Sequence, residues 1–195
     1  MSRNKTPRSA LLRAALDAML DGRFTMGEVA KRAKVSRQTL YAHFDGLPQL
    51  AIEAARYVDE VEDIEAHLGP VFAATSPGAL LDALAGFFAS YNPRIAHIVR
   101  QAERLAEDKP ETQAALDDRR QVRLSSALGT LQQLEAWGAL RPEIDHEEMA
   151  AWFVSLGGVA LWHDAIEHGG WTADQYRAHM ASTLRRVLLA NPDCD

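Results

Sequence analysis

The sequence lacks most of what a disulfide-stabilised, secreted or membrane-spanning protein needs. Its single cysteine, Cys194, lies in the last two residues, which excludes an intrachain disulfide. The start of the chain is polar and basic, without the apolar segment of a signal peptide, and no run approaches the roughly 18 uninterrupted apolar residues that would span a bilayer. We therefore expect a soluble cytoplasmic protein without a membrane partner, whose core is built from its 47% of hydrophobic residues.

The chain has no proline within an apolar periodic stretch, and this placement favours an all-α chain. Proline is tolerated in the first turn of a helix and disfavoured in the interior. Five of the eight prolines look like first-turn residues and three look like stops: Pro7, Pro48, Pro77, Pro93 and Pro110 in the first group, and Pro70, Pro142 and Pro192 in the second. No segment has a convincing strand alternation. We predict helices over about 7–20, 26–33, 37–43, 48–68, 77–90, 93–106, 110–137, 145–168 and 172–188.

Residues 24–44 combine the local signals for two short helices joined by a tight turn. Thr25 is followed three residues later by Glu28, which is the spacing of a capping box. Ser36 offers a second N-cap, and the helix that follows it buries Leu40 and Phe44. The side chains that this second helix turns outward are Arg37, Gln38, Thr39, Tyr41 and His43.

This outward face has the chemistry needed to read duplex DNA. A helix fits the major groove, where Arg, Gln, Ser and Thr side chains pair with base edges, whereas contacts to phosphates position the protein without specifying sequence. We predict that Arg37, Gln38 and Thr39, with Ser36 beside them, face the bases, and that Thr25, Lys34, Tyr41 and His43 hold phosphates. The alternative is an ordinary helical hairpin of a larger core, with a solvated outer face.

The charge distribution along the chain favours the DNA-binding alternative. Residues 1–44 hold nine basic and three acidic side chains, while the whole chain carries a net charge of −6. The first quarter is therefore attracted to a polyanion, and the remainder is repelled by it. Arg3 and Lys5 would also suit a flexible basic tail, but Lys31, Arg32 and Lys34 lie inside the predicted hairpin.

Residues 24–44 resemble the helix-turn-helix of TetR-family transcriptional regulators. The chain departs from the family pattern at Lys34, where a glycine is usual because the turn favours a left-handed backbone; the lysine costs about 1 kcal/mol there. It departs again after Phe44, where Gly46, Leu47 and Pro48 replace a Ser-Lys-Glu-like run, so the phosphate-contacting lysine of that run is missing. The matching residues are Thr25, Val29, Ala30, Ala33, Val35, Ser36, Thr39, Leu40, Tyr41, His43 and Phe44.

The resemblance implies an all-α, nine-helix architecture and a regulatory function. Residues 1–46 would form a three-helix DNA-binding head, and residues 47–195 a helical domain for effector binding and dimerisation. By analogy with most members, the protein would be a repressor that binds a palindromic operator as a homodimer and is released by a small-molecule effector. Two heads would then lie about 34 to 36 Å apart, or a multiple of that distance, to enter successive grooves.

The middle of the chain would enclose the effector cavity if the resemblance holds. Buried aromatic side chains beside a few polar groups suit such a cavity. Taken singly, each of these residues also fits an ordinary core or surface position. The candidates are Phe87, Phe88, Tyr91, His97, Arg100, Gln101, Arg120, Trp137 and Trp152.

The last two predicted helices would form the dimer interface. The segment 145–168 is apolar almost all the way round, so it needs cover on more than one side. A monomer in which the earlier helices supply that cover is the alternative. The residues that the resemblance places in a four-helix interface are Phe153, Leu156, Gly157, Ala160, Leu161, Tyr176, Met180, Leu184, Val187 and Leu188.

We find no pattern that supports catalysis, a cofactor or a metal. His163 and His168 are five residues apart and do not share the face that a helical metal pair at i and i+4 needs. Gly157 and Gly158 lie in an apolar helix instead of following a strand, so they do not form a phosphate loop. Two rival functions remain open, an α-helical protein–protein interaction module that does not bind DNA, and an all-α enzyme with a buried aromatic pocket.

Overall fold

A computed structural model of the protein describes residues 7–192, where ten α-helices and one π-helical segment account for the regular structure and no strand occurs. Arg3, Lys5 and Cys194 lie outside this range. The helices are α1 (Arg8–Leu20), α2 (Met26–Arg32), α3 (Arg37–Tyr41), α4 (Leu47–Val61), α5 (Ile64–Phe72), α6 (Pro77–Asp108), α7 (Pro110–Ala136), α8 (His146–Leu156), α9 (Val159–His163) and α10 (Ala173–Leu188), with the π-helical segment Asp164–His168 after α9.

The all-α prediction is confirmed, and so is the count of nine when the three consecutive pieces of His146–His168 are taken as one interrupted helix. In the part of the chain that precedes His146, the predicted helix boundaries were wrong in two places. The helix expected over 48–68 breaks at Asp63, which has a φ of 50°, so α5 begins separately and contains Pro70 in its interior. The two helices expected over 77–90 and 93–106 form the single helix α6, with Pro93 inside it. Burial of Tyr91, Asn92 and Ala96 around this proline favours continuity, against a cost of about 3 kcal/mol for an interior proline.

The segment 145–168 is also interrupted, at Gly157 and Gly158. A Cβ at Gly157 would lie 2.5 Å from Cζ of Phe88, so only glycine permits the close approach of α8 to α6. The segment then ends in a π-helical turn, in which the Gly169 N–H donates to the Asp164 carbonyl at 2.7 Å. This turn brings the rings of His163 and His168 to 5.1 Å between centroids. The prediction that these two residues share no face was therefore wrong, because it assumed α-helical spacing.

By backbone contacts, the described residues divide into two units. The N-terminal unit holds the residues up to Glu62 together with His97–Arg119, and the C-terminal unit holds Asp63–Ala96 together with the residues from Arg120 onward. By this criterion α4 and parts of α6 and α7 pack with the head. The functional boundary between residues 46 and 47 stays a prediction.

Each unit has its own hydrophobic core. The N-terminal core is built by α1 to α4, with Leu105 and Ala115 contributed by α6 and α7. The C-terminal core joins α6, α7, α8 and α10, and it includes Leu81, Leu131 and Leu184, none of which is exposed. The predicted capping box at the start of α10, between Thr172 and Gln175, is present in full.

One helical stretch, His146–His168, is long and apolar enough to cross a membrane by length and composition. That test is weak, because core helices of soluble proteins also pass it. Only 28% of the tested window is buried within the chain. The stretch therefore exposes more apolar surface than a core helix does.

Candidate nucleic-acid interface

The turn between α2 and α3 is a complete Schellman motif. The N–H of Lys34 donates to the carbonyl of Lys31 at 3.2 Å, and the N–H of Val35 donates to the carbonyl of Ala30 at 3.0 Å. Lys34 has a φ of 55°, the left-handed conformation that the motif requires at this position. The backbone thus ends α2 sharply, and α3 begins after four intervening residues.

Side-chain hydroxyls cap both helices of the hairpin. Thr25 Oγ1 accepts from the Glu28 N–H at 3.2 Å, and Ser36 Oγ accepts from the Thr39 N–H at 3.0 Å. Only the hydroxyl half of the predicted capping box is therefore formed, by Thr25. The Glu28 carboxylate instead accepts a hydrogen bond from Arg32 Nε at 3.0 Å. These caps satisfy backbone donors that a helix start leaves without partners.

Of the eight residues predicted to contact DNA, six are exposed and two are half-buried. Tyr41, on α3, is 54% exposed. Thr39 and His43 are half-buried, and the Thr39 hydroxyl lies 2.9 Å from that of Ser36. The exposed members of the set are Thr25, Lys34, Ser36, Arg37, Gln38 and Tyr41.

The Arg37 guanidinium lies over Gly27 of α2, a proximity that the sequence analysis missed. A Cβ at Gly27 would lie 2.5 Å from a guanidinium nitrogen, so a larger residue at position 27 would displace this flexible side chain. The sequence feature that could have indicated this proximity is Gly27 itself, because the first turn of a helix does not require a glycine.

Arg8 is a second residue that the sequence analysis missed. From α1 it donates through Nη1 to the carbonyl of His43 at 3.1 Å, and through Nε to Glu53 of α4 at 3.1 Å. Its guanidinium also lies 4.5 Å from the ring centroid of Phe44. Arg8 therefore ties the end of α3 to α1 and α4, although these residues are 35 to 45 positions away.

Part of the basic cluster is structural. Arg32 pairs with Asp21 at 2.8 Å and with Glu28 at 3.0 Å, and the hydrogen bond that it donates to Asp21 is the main cause that raises the pKa of Arg32. Lys31, Lys34 and Arg37 are exposed. The positive charge of the hairpin that faces solvent thus comes mostly from these three side chains.

The nine candidate effector residues divide between the two units. Phe87 and Tyr91 stack with ring centroids 5.2 Å apart, and Phe88 contacts Phe87. His97, Arg100 and Gln101 belong to the N-terminal unit, whereas the other six belong to the C-terminal unit. Within the latter, Arg120 and Trp152 are exposed and Trp137 is half-buried.

Two surface depressions occur within the C-terminal unit. The first, of about 280 Å³, lies between α5, α6 and α10 and is the one that includes a predicted effector residue, Phe87. The second, of about 330 Å³, lies along α8, α9, the π-helical segment and α10. The first is lined by Ala66, His67, Pro70, Asp82, Ala83, Gly86, Phe87, Ser90 and Arg177.

The ten candidate interface residues fall into two groups. Five are buried in the core of the single chain: Phe153, Tyr176, Met180, Leu184 and Leu188. The others are exposed or half-buried: Leu156, Gly157, Ala160, Leu161 and Val187. Trp152 and Trp171, which were not in the predicted interface, are exposed as well.

Comparisons with known proteins agree with this geometry. A family model described as "Bacterial regulatory proteins, tetR family" matches residues 22–54, which cover the hairpin and the start of α4. A search of curated protein sequences finds no significant match.

Several solved structures share the fold along nearly the whole chain. A TetR-family transcriptional regulator from Rhodococcus sp. superposes with a TM-score of 0.70 at 18% identity, covering 93% of this chain and 97% of its own. A transcriptional regulator from Saccharomonospora viridis, solved with choline, has a TM-score of 0.65 at 14% identity, covering 93% and 97%. NalD from Pseudomonas aeruginosa, the secondary repressor of the MexAB-OprM multidrug efflux pump, has a TM-score of 0.65 at 18% identity, covering 94% and 96%.

The helix-turn-helix identified in the sequence and the family model coincide on the same residues, and the all-α fold extends the likeness to the rest of the chain. The predicted resemblance of residues 24–44 to this family is confirmed by the family match. Residues 22–54 of this chain thus match the family described as bacterial regulatory proteins of the tetR type, and the chain shares its all-α fold with solved regulators of that type.

Proposed function

We propose that the protein is a repressor that binds a palindromic operator as a homodimer and releases it when a small molecule occupies the C-terminal unit. The observation that carries the DNA-reading part is the exposed face of α3, where Arg37 and Gln38 project beside Lys34 and Tyr41. A short capped helix with donors and acceptors on its outer face matches the requirements of major-groove recognition.

In this proposal the residues of the face divide by role. Arg37, Gln38 and Thr39, with Ser36, read base edges. Thr25, Lys34, Tyr41 and His43 hold phosphates, and the exposed Lys31 adds positive charge. Arg8 acts as a positioning residue, because it fixes the carbonyl of His43 and the ring of Phe44 at the end of α3.

The test of base reading begins with selection of bound duplexes from a random pool by the wild-type protein. We expect Arg37→Ala to weaken the selected operator by about 1 to 3 kcal/mol more than it weakens scrambled duplex. Arg186→Ala, which removes an exposed arginine of the C-terminal unit, is the matched control and should leave both affinities unchanged. Equal weakening of the two duplexes by Arg37→Ala would exclude its role as a base reader.

Phosphate contacts have a separate signature in the salt dependence. Lys34→Ala should weaken all duplexes alike and lower the slope of log K against log salt by about 1. Tyr41→Phe should weaken binding without changing sequence preference, because it removes a hydroxyl donor and no charge. If neither substitution changes affinity or slope, the phosphate roles are wrong.

The dimer is supported by the exposed apolar side of α8 and α9. Leu161 and Trp152 are each 39% exposed in the single chain, close to the small residues Gly157 and Ala160. An isologous interface on this side would cover the apolar surface and present two heads with the symmetry of a palindrome. The buried candidates, including Leu184, would then support the face from behind without touching the partner.

The first depression is the proposed effector site. Its volume of about 280 Å³ is near the lower end for small-molecule pockets, and it combines the ring of Phe87 with charged side chains from α6 and α10. One structural neighbour was solved with choline, so choline is the first probe, followed by a metabolite screen for release of the bound operator.

A cavity-filling variant tests this location. A compound that releases the wild-type protein should fail to release Ala83→Phe, because the new ring occupies the depression. Ala79→Phe, which places the same ring at an exposed position of α6, should respond like the wild type. If Ala83→Phe responds normally, the effector binds elsewhere.

A soluble cytoplasmic location follows from this proposal, because a regulator of this kind must reach DNA in the cytoplasm. The rival proposal, an interaction module that does not bind DNA, predicts no preference for any duplex and no steep dependence of duplex binding on salt.

A further inference from the structure

We propose that His163, Asp164 and His168 form a binding site for a divalent transition metal of the Zn²⁺ class. The three residues lie at the junction of α9 and the π-helical segment, outside the DNA-reading face and the proposed effector depression. One ligand atom from each of them, two imidazole nitrogens and a carboxylate oxygen, lies within 4.8 Å of the others.

The π-helical turn is what assembles this group. In an α-helix, residues five apart are separated by about 1.4 turns and point away from each other. Here the hydrogen bond from the Gly169 N–H to the Asp164 carbonyl, at 2.7 Å, follows the i to i+5 pattern of a π-helix. It brings the rings of His163 and His168 together at an interplanar angle of 78°. Short π-helical turns are rare and frequently occur at functional sites.

The spacing of the side chains fits closure around an ion. His168 Nε2 lies 4.0 Å from Asp164 Oδ1. Tetrahedral ligands at about 2.0 to 2.2 Å from a metal are about 3.3 to 3.6 Å apart. A pair of ligand atoms separated by 4.8 Å, the upper limit in this group, would therefore have to approach by about 1.2 to 1.5 Å. The His168 and Asp164 side chains are 70% and 74% exposed, so rotation of their side chains can provide this movement.

The ligand set selects the kind of metal. Imidazole nitrogens suit Zn²⁺, Co²⁺, Ni²⁺ and Cu²⁺, whereas Mg²⁺ and Ca²⁺ prefer oxygen ligands. Three protein ligands leave one position of a tetrahedral ion open to water, which distinguishes this site from a closed structural zinc site. Binding would clamp the π-helical turn at the end of the interrupted helix His146–His168.

The experiment uses the full chain without a histidine tag, treated with a chelator and then titrated with Co²⁺ and Zn²⁺. We expect one Co²⁺ per chain, seen by its visible absorption, displacement by Zn²⁺, and a rise in the melting temperature on Zn²⁺ addition. His168→Asn and His163→Asn should each weaken binding by at least about tenfold. Asp164→Asn should weaken it by a smaller factor, because an amide oxygen is a poorer ligand than a carboxylate.

His179→Asn is the matched control. His179 lines the neighbouring depression together with Asp164, and its ring lies 4.5 Å from that of Trp171, but it is not one of the three ligands. It should leave the metal affinity unchanged. The proposal is overturned if binding is absent below millimolar metal, if the His163→Asn/His168→Asn double variant binds as well as the wild type, or if His179→Asn weakens binding equally. Circular dichroism of the metal-free variants shows whether each one is folded.

Discussion

Lys34 holds a left-handed backbone conformation that glycine adopts without steric cost. Its φ of 55° closes the turn of the helix-turn-helix. Replacing it should relieve about 1 kcal/mol of strain, while the loss of its exposed positive charge should weaken DNA binding. Lys34→Gly is therefore expected to unfold at higher denaturant concentration and to bind duplex more weakly than the wild type.

The same substitution at Lys31 is the matched control. Lys31 is exposed on α2, so Lys31→Gly should lower the free energy of unfolding by about 1 kcal/mol instead of raising it. Denaturant unfolding at neutral pH measures both changes. If both variants lose stability equally, the left-handed turn stores no strain.

Tyr176 is buried in the C-terminal core, and its hydroxyl has no hydrogen-bond partner within the part of the chain that the structure describes. Burial raises the pKa of Tyr176 to about 12, while the neighbouring Asn92 amide opposes the shift. The neutral phenol is thus favoured in the folded state. Its contribution to stability is complete below the unfolded pKa of about 10 and is lost as the pH rises toward 12.

We therefore expect Tyr176→Phe to be as stable as the wild type at pH 7, or more stable by up to about 1 kcal/mol, because it removes a buried hydroxyl without a partner. The variant should lose less stability than the wild type between pH 10 and 12. Tyr41→Phe, at an exposed position, is the control and should behave like the wild type in unfolding. Chemical unfolding across this pH range measures the difference. A clear loss of stability at pH 7 would indicate that the hydroxyl is hydrogen-bonded.

At the scale of elements, ion pairs join α4 to α7 within the N-terminal unit. Arg56 Nε donates to Asp118 Oδ2 at 3.0 Å, and Arg119 pairs with Asp59. The hydrogen bond from Arg56 is the main cause that lowers the pKa of Asp118. A carboxylate of this kind adds stability above its unfolded pKa of about 3.9, and that stability is lost as the pH falls through the lower folded pKa.

Asp118→Asn should accordingly lower the free energy of unfolding at pH 7 by no more than about 1 kcal/mol, since Arg56 is largely exposed to solvent. The difference should shrink as the pH falls below 4. Asp117→Asn, at the exposed neighbouring position of α7, should have almost no effect. Thermal unfolding between pH 2 and 7 follows both variants. A difference that persists unchanged at pH 2 would exclude the ionised pair as its cause.

The boundaries of the elements show where sequence reasoning succeeds and fails. Local signals located α2, α3 and α10, because Ser36 and Thr172 satisfy helix starts with bonds to residues three positions away. The breaks at Asp63 and Gly157 and the continuity through Pro93 were missed. They depend on packing between segments far apart in sequence, as the contact of Gly157 with Phe88 illustrates.

At the scale of the whole molecule, the proposed dimer can be tested by a substitution on the apolar surface that the single chain leaves exposed. Leu161→Glu should yield monomers at concentrations where the wild type is dimeric, because it places a charge on the exposed apolar side of α9. Val122→Glu is the matched control, since Val122 is also a partly exposed apolar residue, on α7 and outside the proposed face. Sedimentation or light scattering measures the mass.

A substitution at Leu184 is not a suitable test of the dimer interface. It is fully buried in the core of the single chain, so Leu184→Glu would bury an unpaired charge and unfold the protein. If both Leu161→Glu and Val122→Glu remain dimers, the interface lies on another surface.

The sequence by itself determined the helical class, the helix-turn-helix and its likeness to tetR-family regulators, because these depend on caps, turn residues and periodicity within a few positions of one another. Only the tertiary structure revealed that Arg8 supports the end of α3, that Arg37 lies over Gly27, and that a π-helical turn joins His163 to His168. It also separated the buried from the exposed residues of the predicted interface. Those features arise from contacts across tens of residues or from a departure from the 3.6-residue period, and neither is visible in local sequence spacing.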